Sequence, residues 1–323
     1  MGVEFRNEGV RSNVLGKPMK EPQDVPFEKE GQYLKSDNRN NISYFLEHNV
    51  LLRRFTLSVG VLANYNSALN EGIHFYPGID ASYRIGDNFR LYGSWNRALR
   101  MPTFTDLYYE GKTNKGNPDL KPEESEAFEV GLKYNTYFLR AHIAGFYRKG
   151  KNMIDWVKEK PEDIWESQNL TKVDNLGFET NLSLLPRELG NERFFIRKIE
   201  LGYAFIHQDK DSEGYISNYA LDYLKHKFTA QLSHSIWKGF SATWYVRWQD
   251  RAGSYTKYEN LKPAYEEPYA PYCLVDMKVN WEYQRLNLYA ELNNLLNSTY
   301  YDLGNIPQPG IWFKAGFRYS FKY

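Results

Sequence analysis

Several groups of residues in this 323-residue chain have types and spacings that could do chemistry. Ser233-His234-Ser235 sets a base beside two hydroxyls, the start of a nucleophile and base arrangement. It stands in an alternating stretch, however, where His234 points away from both serines. Glu123, Glu124 and Glu126 could supply an acid and a base, yet they follow Pro122 at the start of a strand-like run and read as a solvated edge. Asp209-Lys210-Asp211 offers oxygens to calcium without the ligand spacing of a defined loop. His48, His74, His142, His207, His226 and His234 are scattered without metal-ligand spacing. The single cysteine, Cys273, excludes an intrachain disulfide and any CxxC motif; beside Val275 and Met277 it reads as a small apolar strand residue. The chain is therefore expected to be no enzyme, with no catalytic residues, no cofactor and no protein-held metal.

The elements carrying these residues are strands. From Ile311 to Tyr323 every odd position is apolar or aromatic, while Trp312, Lys314, Gly316, Arg318, Ser320 and Lys322 take the other face. The same alternation sets Leu57, Val59, Val61 and Tyr65 against Thr56, Ser58, Gly60 and Asn64. It sets Ile73, Phe75, Ile79 and Tyr83 against His74, Asp80, Ser82 and Arg84, with Pro77 awkward for a paired strand. Leu288, Ala290 and Leu292 stand against Asn287, Glu291 and Asn293. No long stretch carries the apolar period of an amphipathic helix, so the fold class is all-β.

Aromatics make up 17% of residues, with 27 Tyr, 19 Phe and 8 Trp, more than a globular core uses and as many as two membrane-interface belts would need. Mean hydropathy is -0.67 and no apolar run reaches the ~18 residues of a transmembrane helix. A barrel strand shows only alternate residues to lipid, so low hydropathy is compatible with an antiparallel transmembrane β-barrel. The 41 basic and 40 acidic residues nearly cancel, giving no electrostatic case for nucleic acid.

Short turns at Arg53-Arg54, Gly86-Asp87-Asn88, Asn135-Thr136, Lys238-Gly239 and Tyr283-Gln284 alternate with long polar segments near 14–38, 99–122, 157–168, 209–218, 253–268 and 297–309. That asymmetry puts the long loops on one side of a membrane. The runs number about fourteen, each near or above the ~9–11 residues a tilted membrane strand needs. Residues 14–38, rich in Lys, Glu, Asp and Asn, read as disordered in isolation.

Four segments then carry a family resemblance. They are Arg100-Met101-Pro102-Thr103-Phe104-Thr105-Asp106-Leu107-Tyr108; Asn117-Pro118-Asp119-Leu120-Lys121-Pro122-Glu123; Asn169 to Glu179, with Asn175, Gly177, Phe178 and Glu179; and Asn293-Asn294-Leu295-Leu296-Asn297 followed by Tyr300, Pro307, Pro309 and Gly310, running into the strand that ends at Tyr323. In this order the chain resembles the C-terminal part of the β-barrel of a TonB-dependent outer-membrane receptor. Each segment also has a plain reading. Asn117-Pro118 and Lys121-Pro122 stiffen a loop that descends into a strand, and Asn293-Asn294 ends pairing that Pro309-Gly310 restarts.

Complete receptors of this family resemble a barrel of about 22 strands with a plugged lumen. Residues 1–323 are thus expected to be a partial barrel lacking the plug and about eight strands. Met1 is followed at once by the strand-like Gly2-Val3-Glu4-Phe5-Arg6, with no signal-peptide core. The resemblance implies TonB-dependent uptake of a scarce nutrient across the outer membrane of a Gram-negative bacterium. Cobalamin or a ferric siderophore ranks first and a glycan second; the partners would be outer-membrane lipid, a metal chelate at the external loops, and the TonB complex through the missing plug. Loop aromatics that could stack on such a ligand are Tyr108, Tyr109, Trp156, Trp165, Tyr255 and Tyr258. A passive pore and a soluble aromatic-rich binding module are the alternatives from other classes. The second would leave large apolar patches in water.

Overall fold

The computed structural model describes the chain except residues 29, 70, 71, 161, 191, 192, 212, 213, 218–222, 261, 322 and 323; of 171, 210, 211 and 263 it describes the backbone alone. Fourteen long strands follow one another: β1 (Gly2–Ser12), β2 (Gln32–Leu51), β3 (Phe55–Asn66), β4 (Ile73–Ile85), β5 (Phe89–Arg100), β6 (Glu123–Asn135), β7 (Leu139–Lys158), β8 (Trp165–Leu184), β9 (Ile196–Asp211), β10 (Tyr223–Trp237), β11 (Phe240–Ala252), β12 (Tyr272–Tyr283), β13 (Leu286–Asn293) and β14 (Trp312–Tyr319). Each pairs antiparallel with the next to form one wall. Among the described residues β1 and β14 are not paired with each other.

The register explains why the wall has two unlike faces. Val59 lies opposite Ile79, Ile79 opposite Trp95, Trp95 opposite Phe128, Phe128 opposite Tyr147 and Tyr147 opposite Leu176. A one-residue slip at any ladder would turn one strand's apolar row to the polar side, so the shared apolar face fixes every pairing. Pro77 is tolerated because the ladder from β4 to β5 begins at Gly78, one residue past the ring. The closing strand is shorter than the alternation implied. It ends at Tyr319, opposite Leu286, because β13 itself begins there after the turn at Gln284-Arg285. Tyr323 lies outside the described residues.

Connections at one end are tight except for 185–195, which carries a 3-10 turn at Pro186–Leu189. At Lys238-Gly239 the glycine has φ of 84°, and a Cβ there would stand 2.4 Å from the Glu282 carbonyl oxygen, so only glycine fits. The long connections gather at the opposite end and carry their own structure. Residues 14–38, expected to be disordered, form a hairpin instead: Lys17–Asp24 pairs with the first part of β2. The polar sequence bends back because β2 supplies a ready backbone ladder. Residues 101–122 contain a one-turn helix, α1 (Phe104–Tyr108), and 253–271 contain a hairpin of Ser254–Glu259 with Lys262–Pro268.

Candidate functional site

Loop 101–122 begins with a helix that its own sequence starts. The Thr103 hydroxyl accepts the Asp106 N–H at 3.0 Å, and the Asp106 carboxylate accepts the Thr103 N–H at 2.9 Å, a reciprocal cap. Charges then tie this turn to the wall. Arg39, on β2 and 8% exposed, donates to Glu8 of β1 and to the Pro102 carbonyl, both at 2.6 Å, and its guanidinium lies 4.9 Å from the Phe104 ring centre. Tyr108 donates to Asp37 at 2.5 Å, and Lys17 approaches the same carboxylate at 3.8 Å. Burial first, and then the bond to Asp37, push the Tyr108 hydroxyl pKa up.

The other end of the loop is as firmly held. Asn117 closes a turn by accepting the Asp119 N–H at 2.9 Å, Leu120 is buried, and Asn169 of β8 bonds both the N–H and the carbonyl of Lys121. Beyond Pro122, the buried Glu123 accepts Nε and Nη2 of Arg100 at 2.6 Å each and the Ile154 N–H at 2.7 Å. Glu123 is thus a clamp between β5, β6 and β7, which is what the glutamate ending this motif does here.

Four of the proposed rings gather around this loop. Tyr109 meets Trp156 edge-on at 6.4 Å, Lys158 lies 4.5 Å from the Trp165 ring centre, and the Trp165 N–H bonds the Thr113 carbonyl at 2.9 Å. Of these, Tyr109 is the exposed ring, at 38%. Tyr255 and Tyr258 lie in a different cluster, where loop 253–271 interlocks with loop 294–311. Tyr255 packs against Tyr269 at 5.1 Å and Tyr301 at 6.0 Å, and Asn305 bonds the Thr256 carbonyl and the Tyr258 N–H. Tyr258 is 52% exposed.

Cations line these tyrosines. Lys257 lies 5.8 Å from the Tyr301 ring, Arg251 5.4 Å from Tyr269, and Arg247 6.0 Å from Tyr272, whose hydroxyl donates to Asp302 at 2.6 Å and also lies within hydrogen-bond reach of Gln249. Its hydrogen bond with Glu267 holds the Lys257 pKa above the usual lysine range, and burial followed by the Glu267 charge raises that of Tyr255. Sequence reasoning missed Tyr269, Tyr272, Tyr301 and these three cations. The signal available was the density of tyrosine between 255 and 272 and at 300–301.

The remaining motif residues shape the wall and the last loop. Gly177 admits the Phe146 ring, since a Cβ there would stand 2.5 Å from it, and Glu179 faces His142 at 3.8 Å. Asn293 ends β13 opposite Trp312. Asn294, buried with φ of 50°, accepts the Ser298 N–H at 2.9 Å and donates to the Ser298 and Pro309 carbonyls at 2.9 and 3.3 Å. Gly310 leaves room for the Asn297 side chain, whose oxygen would lie 2.7 Å from a Cβ.

Compared with known proteins, residues 1–295 match the family model described as TonB dependent receptor-like, beta-barrel. The chain belongs to this family of TonB-dependent receptor barrels. As a receptor barrel it is 27% identical over 225 residues to the vitamin B12 transporter BtuB of Vibrio vulnificus, covering 52% of this chain and 36% of that protein. To the ferrienterobactin receptor of Escherichia coli it is 22% identical over 297 residues, covering 83% of this chain and 38% of that protein. The ferric enterobactin receptor PfeA of Pseudomonas aeruginosa superposes with a TM-score of 0.72 at 19% identity, over 99% of this chain and 50% of that one, which shows the fold. The chain therefore spans about a third to a half of the length of the proteins it matches.

Proposed function

We propose that residues 1–323 form the C-terminal part of the barrel of an outer-membrane receptor of a Gram-negative bacterium. The receptor takes up a metal chelate, cobalamin or a ferric siderophore. The relatives named above support this reading, and outer-membrane lipid covers the apolar face. Import is driven by the TonB complex acting through a plug domain N-terminal to the wall. No bond is made or broken; the work of these residues is to bind and orient.

The observation that carries the reading is the placement of Arg247, Arg251 and Lys257 over Tyr272, at the start of β12, and over Tyr269 and Tyr301 of the interlocked loops. A flat ligand stacks on the rings and an anionic one also meets the cations. A neutral glycan would use the rings and make no use of the positive charge of Arg247 and Arg251; Lys257 is already paired with Glu267 at 3.1 Å. Tyr109 and Tyr258, the more exposed of the named rings, offer further stacking surface. The test is titration of the purified protein with a ferric tris-catecholate and with cyanocobalamin, followed by tryptophan quenching. One of them saturates, and replacing Arg247, Arg251 and Lys257 together by Ala weakens it by about tenfold or more. Saturation by neither, or unchanged affinity in the triple variant, sinks the assignment.

A further inference from the structure

On the apolar face between β4 and β8 the wall carries a groove of about 650 Å³, floored by Gly93 and Gly145 and flanked by Trp95, Phe128, Tyr147 and Leu176. A Cβ at Gly93 would come no closer than 3.4 Å to any neighbour, and one at Gly145 no closer than 3.9 Å. Neither glycine has a left-handed φ. Packing and backbone conformation would thus accept a side chain at both. Gly131 and Gly177 differ, because a Cβ at either would lie 2.5 Å from the ring of Tyr92 or Phe146. What Gly93 and Gly145 do is hold the groove open.

Two residues along the same strands, about 7 Å toward the loops, the row of Trp95, Phe128 and Tyr147 gives way to Arg97, Glu126 and Lys149. Arg97, Lys149 and Lys151, with Glu124 and Glu126, line a second cavity of about 90 Å³. Arg97 is answered by Glu124 at 3.6 Å and Glu126 at 3.3 Å, whereas no ion pair involves Lys149 or Lys151 among the described residues. The Tyr147 hydroxyl donates to Asp174 at 2.9 Å and so fixes its ring at the lip between groove and charges.

We propose that groove and lysine pair are one binding site, on the outer wall and away from the chelate loops, for a phosphorylated acyl lipid of the surrounding leaflet. An acyl chain lies across Gly93 and Gly145, and the lipid phosphate meets Lys149 and Lys151. The apolar groove favours a chain that excludes water. Lys149 stands across from Glu126 and Asp174, and Lys151 across from Glu124, but Arg97 takes both glutamates and Lys172 takes Asp174, so the two lysines are left to supply a charge complementarity that a zwitterionic headgroup does not match.

The test uses the intact polypeptide, delipidated in detergent, with phosphatidylglycerol and phosphatidylcholine of the same acyl chains, and reads retained lipid by native mass spectrometry. Phosphatidylglycerol is retained in preference. Lys149→Gln with Lys151→Gln lowers its retention about tenfold and leaves phosphatidylcholine unchanged. Gly93→Leu with Gly145→Leu lowers retention of both lipids. Equal retention of the two lipids by the unaltered protein, or undiminished phosphatidylglycerol in both double variants, overturns the site. Displacement of the lipid by an equal concentration of inorganic phosphate also overturns it, since the lysines would then be binding an anion alone.

Discussion

Loop 101–122 and the interlocked loops 253–271 and 294–311 rise from the same end of the wall and are held by opposite means. The first is fastened through side chains taken out of water: Arg39 on Glu8 and Pro102, and Glu123 on Arg100 and Ile154. The second is fastened by ring contacts among Tyr255, Tyr269 and Tyr301, with polar ties from Asn305, Lys257 to Glu267 and Tyr272 to Asp302 that stay in reach of water. An aromatic pair contributes about 0.5–1.5 kcal/mol beyond the area it buries. Removing one partner of a buried ion pair costs about 3–5 kcal/mol. Loop 101–122 is therefore the fixed region, and the tyrosine loops are the part that can rearrange cheaply.

The comparison breaks most directly at Arg39. Arg39→Ala leaves the Glu8 carboxylate and the Pro102 carbonyl without this donor and should destabilise the loop by about 3 kcal/mol or more. Limited proteolysis should then cut within 101–122 in the variant and spare it in the parent; equal resistance would mean the loop is held by something other than this charge. Glu123→Gln is the milder case. It keeps an acceptor for Ile154 while removing the charge beneath Arg100, for an expected loss of about 1.5–3 kcal/mol, and hydrogen exchange at Ile154 is the readout. Protection as strong as in the parent would show that the fork from Arg100 adds little.

These contacts were hidden in the sequence for a physical reason. The wall was legible because a two-residue period repeats whatever the partner strand, and Val59, Ile79 and Leu288 could each be assigned to the apolar face of their own strand without knowing their neighbours. Arg39 and Pro102 are 63 residues apart, and Asp37 and Tyr108 are 71 apart. No period marks such pairs. Ring chemistry was legible at Tyr108 and Trp156, but their engagement by Asp37 and Tyr109 was not, because exposure depends on how loops fold over one another. The last strand was read too long since alternation says nothing of where the partner stops.

Tyr255→Ala sharpens the contrast from the other side. It removes the ring between Tyr269 and Tyr301, and the ring that lies against Gly304, where a Cβ would stand 2.3 Å from Tyr255. A loss of about 1–2 kcal/mol confined to these loops is expected, with faster proteolysis between 253 and 271 and an unchanged unfolding temperature for the wall. A drop in the temperature of the whole barrel would show that the tyrosine loops brace it, and the distinction between fixed and adaptable regions would fail.

The smallest effect is a pH dependence within the fixed region. Burial and the bond to Asp37 raise the Tyr108 pKa, so the folded loop favours the neutral phenol. An unfolded tyrosine ionises near pH 10. The contribution of this contact is accordingly complete below about pH 10 and is lost as pH climbs from there toward the higher folded value, because the unfolded loop releases its proton first. Protease protection of 101–122 should stay level up to about pH 9 and decline above about pH 10. Tyr108→Phe, which cannot ionise, should protect the loop less at neutral pH and without that alkaline decline. If both proteins decline in parallel, the titrating group lies elsewhere, and the Asp37 contact then acts as packing and not as a proton-dependent tie.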